Sequence, residues 1–182
     1  HYLLGTYLME RGADVNKANK GAWTPLYLAT DNRNIEGGDY PVPKPDMDHL
    51  EYITRLLEHG ADPNKPAKDN TLTRTIFTMQ WFYDEGCTPF VRAAQSSDTG
   101  LMQLLIDWGA DPFIPTASGD TALTAAGGIG WVEGVTYERS PKENLEAIKM
   151  LVYLGLPVNG ANRDGRTPIM GAAMKGRNDV VQ

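Results

Sequence analysis

Two short strings alternate along this 182-residue chain, and their spacing constrains the fold more than any other feature. Gly-Ala-Asp occurs at Gly12-Ala13-Asp14, Gly60-Ala61-Asp62 and Gly109-Ala110-Asp111, with a degenerate copy at Gly155-Leu156-Pro157-Val158-Asn159. Thr-Pro followed by an apolar residue occurs at Thr24-Pro25-Leu26, Thr88-Pro89-Phe90 and Thr167-Pro168-Ile169, and Thr121-Ala122-Leu123 takes the same place without the proline. Gly12 to Thr24, Gly109 to Thr121 and Gly155 to Thr167 each span 12 residues, and Thr88 to Gly109 spans 21, so an uninterrupted unit is 33 residues long. A fixed interval turns 19 glycines and 12 prolines from helix breakers into punctuation between helices.

Each string has a physical task. A threonine hydroxyl before proline caps the free donors of a helix start, and proline at the first helical position gives up no needed N–H. Small residues follow at Leu28-Ala29, Ala93-Ala94, Ala125-Ala126 and Ala172-Ala173, so this short helix can pack closely. The second helix carries apolar residues at helical spacing: Leu50, Ile53, Leu56 and Leu57; Leu101, Leu104 and Leu105; Leu145, Ile148, Leu151 and Val152. It ends in a glycine suited to the left-handed position after a helix. Between that glycine and the next threonine lie about a dozen residues of turn chemistry, enough for a small hairpin or loop.

A unit of turn, short helix and longer helix carrying Gly-Ala-Asp and Thr-Pro-Leu resembles the ankyrin repeat. The resemblance implies an all-α solenoid of stacked helix-turn-helix units with short β-hairpin or loop fingers and a concave binding face. Taken as a single domain over 1–182, the chain divides into a partial repeat over 1–23 and repeats starting near Thr24, Thr88, Thr121 and Thr167. Family members usually carry histidine after Thr-Pro-Leu, bonded to the threonine; here the position holds Tyr27, Val91, Thr124 and Met170, so that link is absent or remade. Residues 1–11 read as the second helix of a unit without its first, and 178–182 start a helix that reaches no closing glycine. The expectation is an excerpt of a longer array. Irregular, insert-bearing arrays of this style are similar to those of bacterial ankyrin proteins, a likeness that points to an exported protein; the sequence itself names no compartment.

The period breaks three times. The intervals Thr24 to Gly60, Gly60 to Thr88 and Thr121 to Gly155 exceed their regular values by 15, 16 and 13 residues. The insertions fall near 31–46 and 127–141, between the helices of a unit, and near 65–85, within a finger. Insertions of this length in a repeat array mark binding surfaces more often than accidents. The first holds Tyr40 among Pro41, Pro43 and Pro45 and is expected to run extended. The second interleaves threonines with Phe77, Trp81, Phe82 and Tyr83, an enrichment that favours strand over a short helix. The third is glycine-rich with Trp131 and Tyr137.

Aromatic residues dominate interface hot spots, so Tyr40, Phe77, Trp81, Phe82, Tyr83, Trp131 and Tyr137 are candidate partner-binding residues. The competing reading folds these rings back over the array as a private mini-core. Trp23, Cys87, Asp120 and Arg166 all precede the capping threonine at the finger base, where relatives of the ankyrin type often contact partners. Variation at this position fits a binding role and equally an unconstrained surface.

Chemistry of its own is not expected. Cys87 as a nucleophile needs a base, and His59 beside Gly60 reads as a helix-end residue with no third group. With His1 and His49 the chain has three histidines, and Asp14, Asp62 and Asp111 are dispersed one per unit, which turn chemistry explains better than a metal. Asn16, Asn64 and Asn159 follow the Gly-Ala-Asp string, where some ankyrin proteins are hydroxylated; side-chain bonding to the turn is the stronger reading. No cofactor is expected. A net charge of −6 argues against nucleic acid and anionic membranes, and no apolar run approaches a membrane span. The partner is expected to be another protein, or another domain of the same chain, with a neutral or basic surface.

Overall fold

A computed structural model describes residues 1–34, 46–71, 82, 85–131 and 139–176. Among these residues the secondary structure is helical, with no strand. The helices are α1 (Tyr2–Glu10), α2 (Pro25–Arg33), α3 (His49–Glu58), α4 (Pro89–Gln95), α5 (Thr99–Asp107), α6 (Ala122–Gly127), α7 (Pro141–Tyr153) and α8 (Pro168–Met174).

The short helices α2, α4, α6 and α8 each begin one residue after a threonine of the second string. The hydroxyls of Thr24, Thr88 and Thr121 accept the N–H of Tyr27, Val91 and Thr124, which caps three of these starts. At Thr124 the position filled by histidine in ankyrin repeats makes a new link, its hydroxyl donating to the Thr121 carbonyl at 2.9 Å. The longer helices use other caps: Asp48 for α3, Asp98 for α5, and a reciprocal Ser140–Glu143 box for α7. Gly60 and Gly109, just past α3 and α5, sit at φ 85° and 86°, the left-handed geometry that stops a helix.

Packing follows the alternation of strings. The short helices contact in order, α2 with α4, α4 with α6 and α6 with α8, while α1 meets α3 and α5 meets α7. Each of α2, α4 and α6 also packs on the longer helix that follows it. Ala93, Ala94, Ala125 and Ala126 are fully or almost fully buried in this row, and Ile53, Leu56, Leu101, Leu105 and Leu151 project into the core from the longer helices. Every residue of α4 and α6 is buried.

Backbone bonds close the segments between units into fingers: Asn19 N–H to Trp23 O, Ala67 to Cys87, Thr116 to Asp120 and Asn162 to Arg166. Successive fingers are joined in turn, Lys68 N–H donating to Gly21 O, Ala117 to Glu85 O and Arg163 to Ser118 O. The turns are also laced together. Asn16 donates to Gly60 O at 2.7 Å and accepts from Asp62 N at 2.8 Å. Asn64 repeats the pattern on Gly109 O and Asp111 N at 2.9 and 2.7 Å. Asp14, Asp62 and Asp111 accept the N–H two residues on, which is turn chemistry.

Candidate interaction surface

The segments nearest the insertions meet in one buried polar cluster. Asp31, in the last turn of α2, accepts Arg92 Nε at 2.7 Å and the Thr71 hydroxyl at 2.7 Å. Arg92 also donates to Asn34 O at 2.9 Å and to the Ser96 hydroxyl at 2.8 Å. Asp98, which caps α5, accepts Arg33 Nε at 2.7 Å and lies 3.0 Å from Arg139 Nη2. Arg139 N–H donates to Ser96 O, and Asn144 donates to Ser97 Oγ and Ala126 O.

The sequence positions of these residues give the cluster its meaning. Asn34 is the last described residue before 35–45, Thr71 the last before 72–81, and Arg139 the first after 132–138. The middle unit carries no insertion between its helices. Its short link Ser96-Ser97-Asp98 is therefore the floor on which the neighbouring residues Arg33 and Arg139 converge. One carboxylate is paired with both arginines and also accepts the Leu101 N–H, as a buried charge is costly without partners. Burial works to raise the Asp98 pKa, but the hydrogen bond and charge of Arg33, the charge of Arg139 and the Leu101 N–H together hold it below the usual carboxylate value.

The candidate residues fall into distinct settings. Phe82 is 1% exposed, its backbone and Cβ pressed against Gly130, so the end of the second insertion is anchored beside the start of the third. A Cβ on Gly130 would come within 2.9 Å of Phe82 Cβ, and its φ of 77° also favours glycine. Trp131 is partly buried, with Lys175 Nζ 5.7 Å from its ring centroid, and its indole N–H is buried without a protein partner. Tyr40, Phe77, Trp81, Tyr83 and Tyr137 lie outside the described residues.

At the finger base, Trp23 is partly buried and donates its indole N–H to Asp69 O in the next finger at 2.6 Å. Asp120 is 5% exposed and accepts from Asn162, again in the next finger, and from Ser118. Cys87 is wholly buried in the core and donates its thiol to Thr88 O. Arg166 is exposed, with Asp164 at 3.6 Å. At Trp23 and Asp120 the side chain is a link to the following finger, which accounts for variation there by what the neighbour offers.

The Asp31–Arg92–Asp98 cluster is absent from the candidates read from sequence. A signal existed: Arg92 is a lone charge in the helix Phe90-Val91-Arg92-Ala93-Ala94, where a buried arginine demands a carboxylate. The first insertion is read from residue 31, but α2 runs through Arg33, and this places Asp31 on the helix. A groove of about 680 Å³ lies beside α2 and reaches the cluster at Asp31 and Thr71, with Tyr2, Trp23, Leu28 and Tyr52 also in its lining.

No family model matches the chain. It is 28% identical over 139 residues to the mitochondrial disaggregase of Bos taurus, covering 65% of this chain and 18% of that protein. It is 25% identical over 172 residues to a protein named for ankyrin repeats from Acanthamoeba polyphaga mimivirus, covering 92% of this chain and 26% of that one. A leucine-rich repeat serine/threonine-protein kinase 1 of Caenorhabditis elegans is 26% identical over 152 residues, covering 84% of this chain and 6% of the kinase. The chain thus spans about a quarter or less of each relative, and two of the three are named for repeats. Among the described residues no helix is long and apolar enough to cross a membrane.

Proposed function

We propose that this chain is an ankyrin-repeat solenoid that serves as a non-enzymatic protein–protein interaction module, offering its concave face and aromatic insertions to a partner. The observation that carries the proposal is the convergence at Asp31, Arg92 and Asp98. Residues adjoining all three insertions are tied into one buried cluster, so the insertions leave the array from neighbouring points and can act as one surface. Rigid presentation lowers the entropy cost of binding, and a few aromatic side chains then supply most of the affinity. The array reading is supported by the 33-residue period, the ordered packing of short helices and the likeness to a viral ankyrin repeat protein. The acidic balance favours a partner with a neutral or basic surface. Tyr40, Phe77, Trp81, Tyr83, Trp131 and Tyr137, with Trp23 and Arg166 at the finger base, are the proposed contacts.

One observation favours a second role for part of this surface. Thr71 and Phe82 are buried at 2% and 1% exposure, which fits a second insertion that braces the array or docks it on the rest of a larger protein. The two readings separate in an affinity experiment. The wild-type chain and a Tyr40→Ala, Trp81→Ala, Tyr83→Ala, Tyr137→Ala variant are used as baits, with equal urea midpoints as the control. A protein retained by the wild type and lost with the variant supports the interaction module. Equal retention by both removes the insertions from the interface.

A further inference from the structure

Tyr2 ties α1 to both α2 and α3. Its hydroxyl accepts the Asn32 amide of α2 at 3.0 Å and lies 3.0 Å from Nδ1 of His49, the first residue of α3. Its ring stacks on Tyr52 with centroids 4.2 Å apart and stands edge-on to the His49 ring at 5.3 Å. Three residues before His49, the Asp46 carboxylate accepts the N–H of Tyr2 at 2.7 Å and of Leu3 at 3.3 Å. Asp46 is the first described residue after 35–45. The stretch that follows the first insertion therefore holds α1 twice, by its backbone and by the Tyr2 side chain.

The direction of these bonds decides which charge His49 can carry. With Asn32 donating to the Tyr2 oxygen, the phenolic proton is left to point at His49, so Nδ1 accepts it. The ring is then neutral, with its own proton on Nε2. Protonation places an N–H on Nδ1, facing the same oxygen. The hydroxyl then meets two donors and its own proton has lost its acceptor. Burial and the Arg33 guanidinium of α2 oppose the charge and hold the His49 pKa below the ordinary imidazole value. Asp48, which caps α3, and Asp98, which caps α5, act in the other direction and are outweighed. Burial raises the pKa of the Tyr2 phenol, which keeps its proton throughout.

We propose that His49 is an acid-sensitive catch, whose protonation releases Tyr2 and loosens α1 from residues 46–49 at the root of the first insertion. A ring with a folded-state pKa below the unfolded value of about 6.5 stabilises fully above that value, and the contribution is lost as pH falls through the folded value. The response lies in the weakly acidic range, which histidine is suited to sense. Thr99 and Pro141 stand first in α5 and α7, and neither titrates. Among the described residues the device thus belongs to the junction beside the first insertion.

The test is an NMR titration from pH 7.5 to pH 5 of the chain and of its His49→Gln variant, with histidine and tyrosine rings labelled. At pH 7.5 the proton of His49 is expected on Nε2, and its titration midpoint below about 6.5. Cross-relaxation between the Tyr2 and Tyr52 rings is expected to fall at least about threefold through that midpoint in the wild type. It stays constant in His49→Gln, where a neutral amide takes the Tyr2 proton at every pH. His1, 4.0 Å from Asp46, is present in both chains, so its own titration cancels. A proton on Nδ1, a midpoint at or above the ordinary value, or unchanged cross-relaxation in the wild type overturns the proposal. Urea midpoints give an independent reading: the wild type is expected to lose stability relative to His49→Gln between pH 7.5 and pH 5, and a constant difference overturns it. None of these measurements depends on whether the insertions bind a partner.

Discussion

Arg92 of α4 reaches across to the Asp31 carboxylate of α2 at 2.7 Å, with both side chains at most 5% exposed. Because the same arginine holds Asn34 O and the same aspartate holds the Thr71 hydroxyl, this pair fastens two insertion roots at once. Arg92→Ala leaves Asp31 buried and under-paired and is expected to cost about 3–5 kcal/mol of unfolding free energy. Arg92→Met combined with Asp31→Asn removes both charges and recovers a large part of that loss. Urea unfolding of the wild type and the two variants measures it; equal losses in the single and the double variant contradict the pairing.

Asp98 gives the cluster a pH dependence. Its pKa in the folded chain is depressed, so its contribution is complete above the unfolded value of about 3.9 and is lost as pH falls through the folded value. Wild type is therefore expected to be more stable than Asp98→Asn at pH 7. The difference narrows steadily as the pH is taken below 4. Paired denaturation series from pH 7 to pH 2.5 read this directly, and a difference independent of pH rules out the carboxylate as its source.

Asn64 bridges two turns, and its removal tests how far such bridges hold the array together. Asn64→Ala loses the bonds to Gly109 O and Asp111 N and is expected to destabilise by about 1–2 kcal/mol. The next position in the series is Phe113, 52% exposed, and the residue opposite it in the series is Pro157, which has no N–H to offer. Phe113→Asn is thus expected to stabilise by less than about 0.5 kcal/mol, because half of the bridge has no donor. Urea midpoints for the two variants check both values.

What was legible in the sequence is what local chemistry decides. Thr24, Thr88 and Thr121 start helices because a hydroxyl and three free N–H groups meet within one turn, and Gly60 and Gly109 end them through their own φ. Asn16 and Asn64 were legible as turn-bonding residues, but their bonds run to the next unit's turn rather than their own, which depends on how the units stack. The cluster was less legible for the same reason. Asp31, Thr71, Arg92, Asp98 and Arg139 are far apart in the chain, and no spacing rule links them. Trp23 and Asp120 were read as partner contacts or, equally, as unconstrained surface; the side-chain bonds that tie each to the neighbouring finger depend on a register that only packing sets. For Tyr40, Phe77, Trp81, Tyr83 and Tyr137 the reading remains the proposal made above.

We propose that the three insertions form one surface for one protein partner. It is tested most directly by the Kd of the partner retained by the wild-type bait, measured by titration calorimetry for Tyr40→Ala, Trp81→Ala and Tyr137→Ala, one variant per insertion. Each substitution is expected to weaken binding, with at least one by about thirtyfold, the equivalent of about 2 kcal/mol at a hot spot, while urea midpoints stay unchanged. Three unchanged dissociation constants would contradict it.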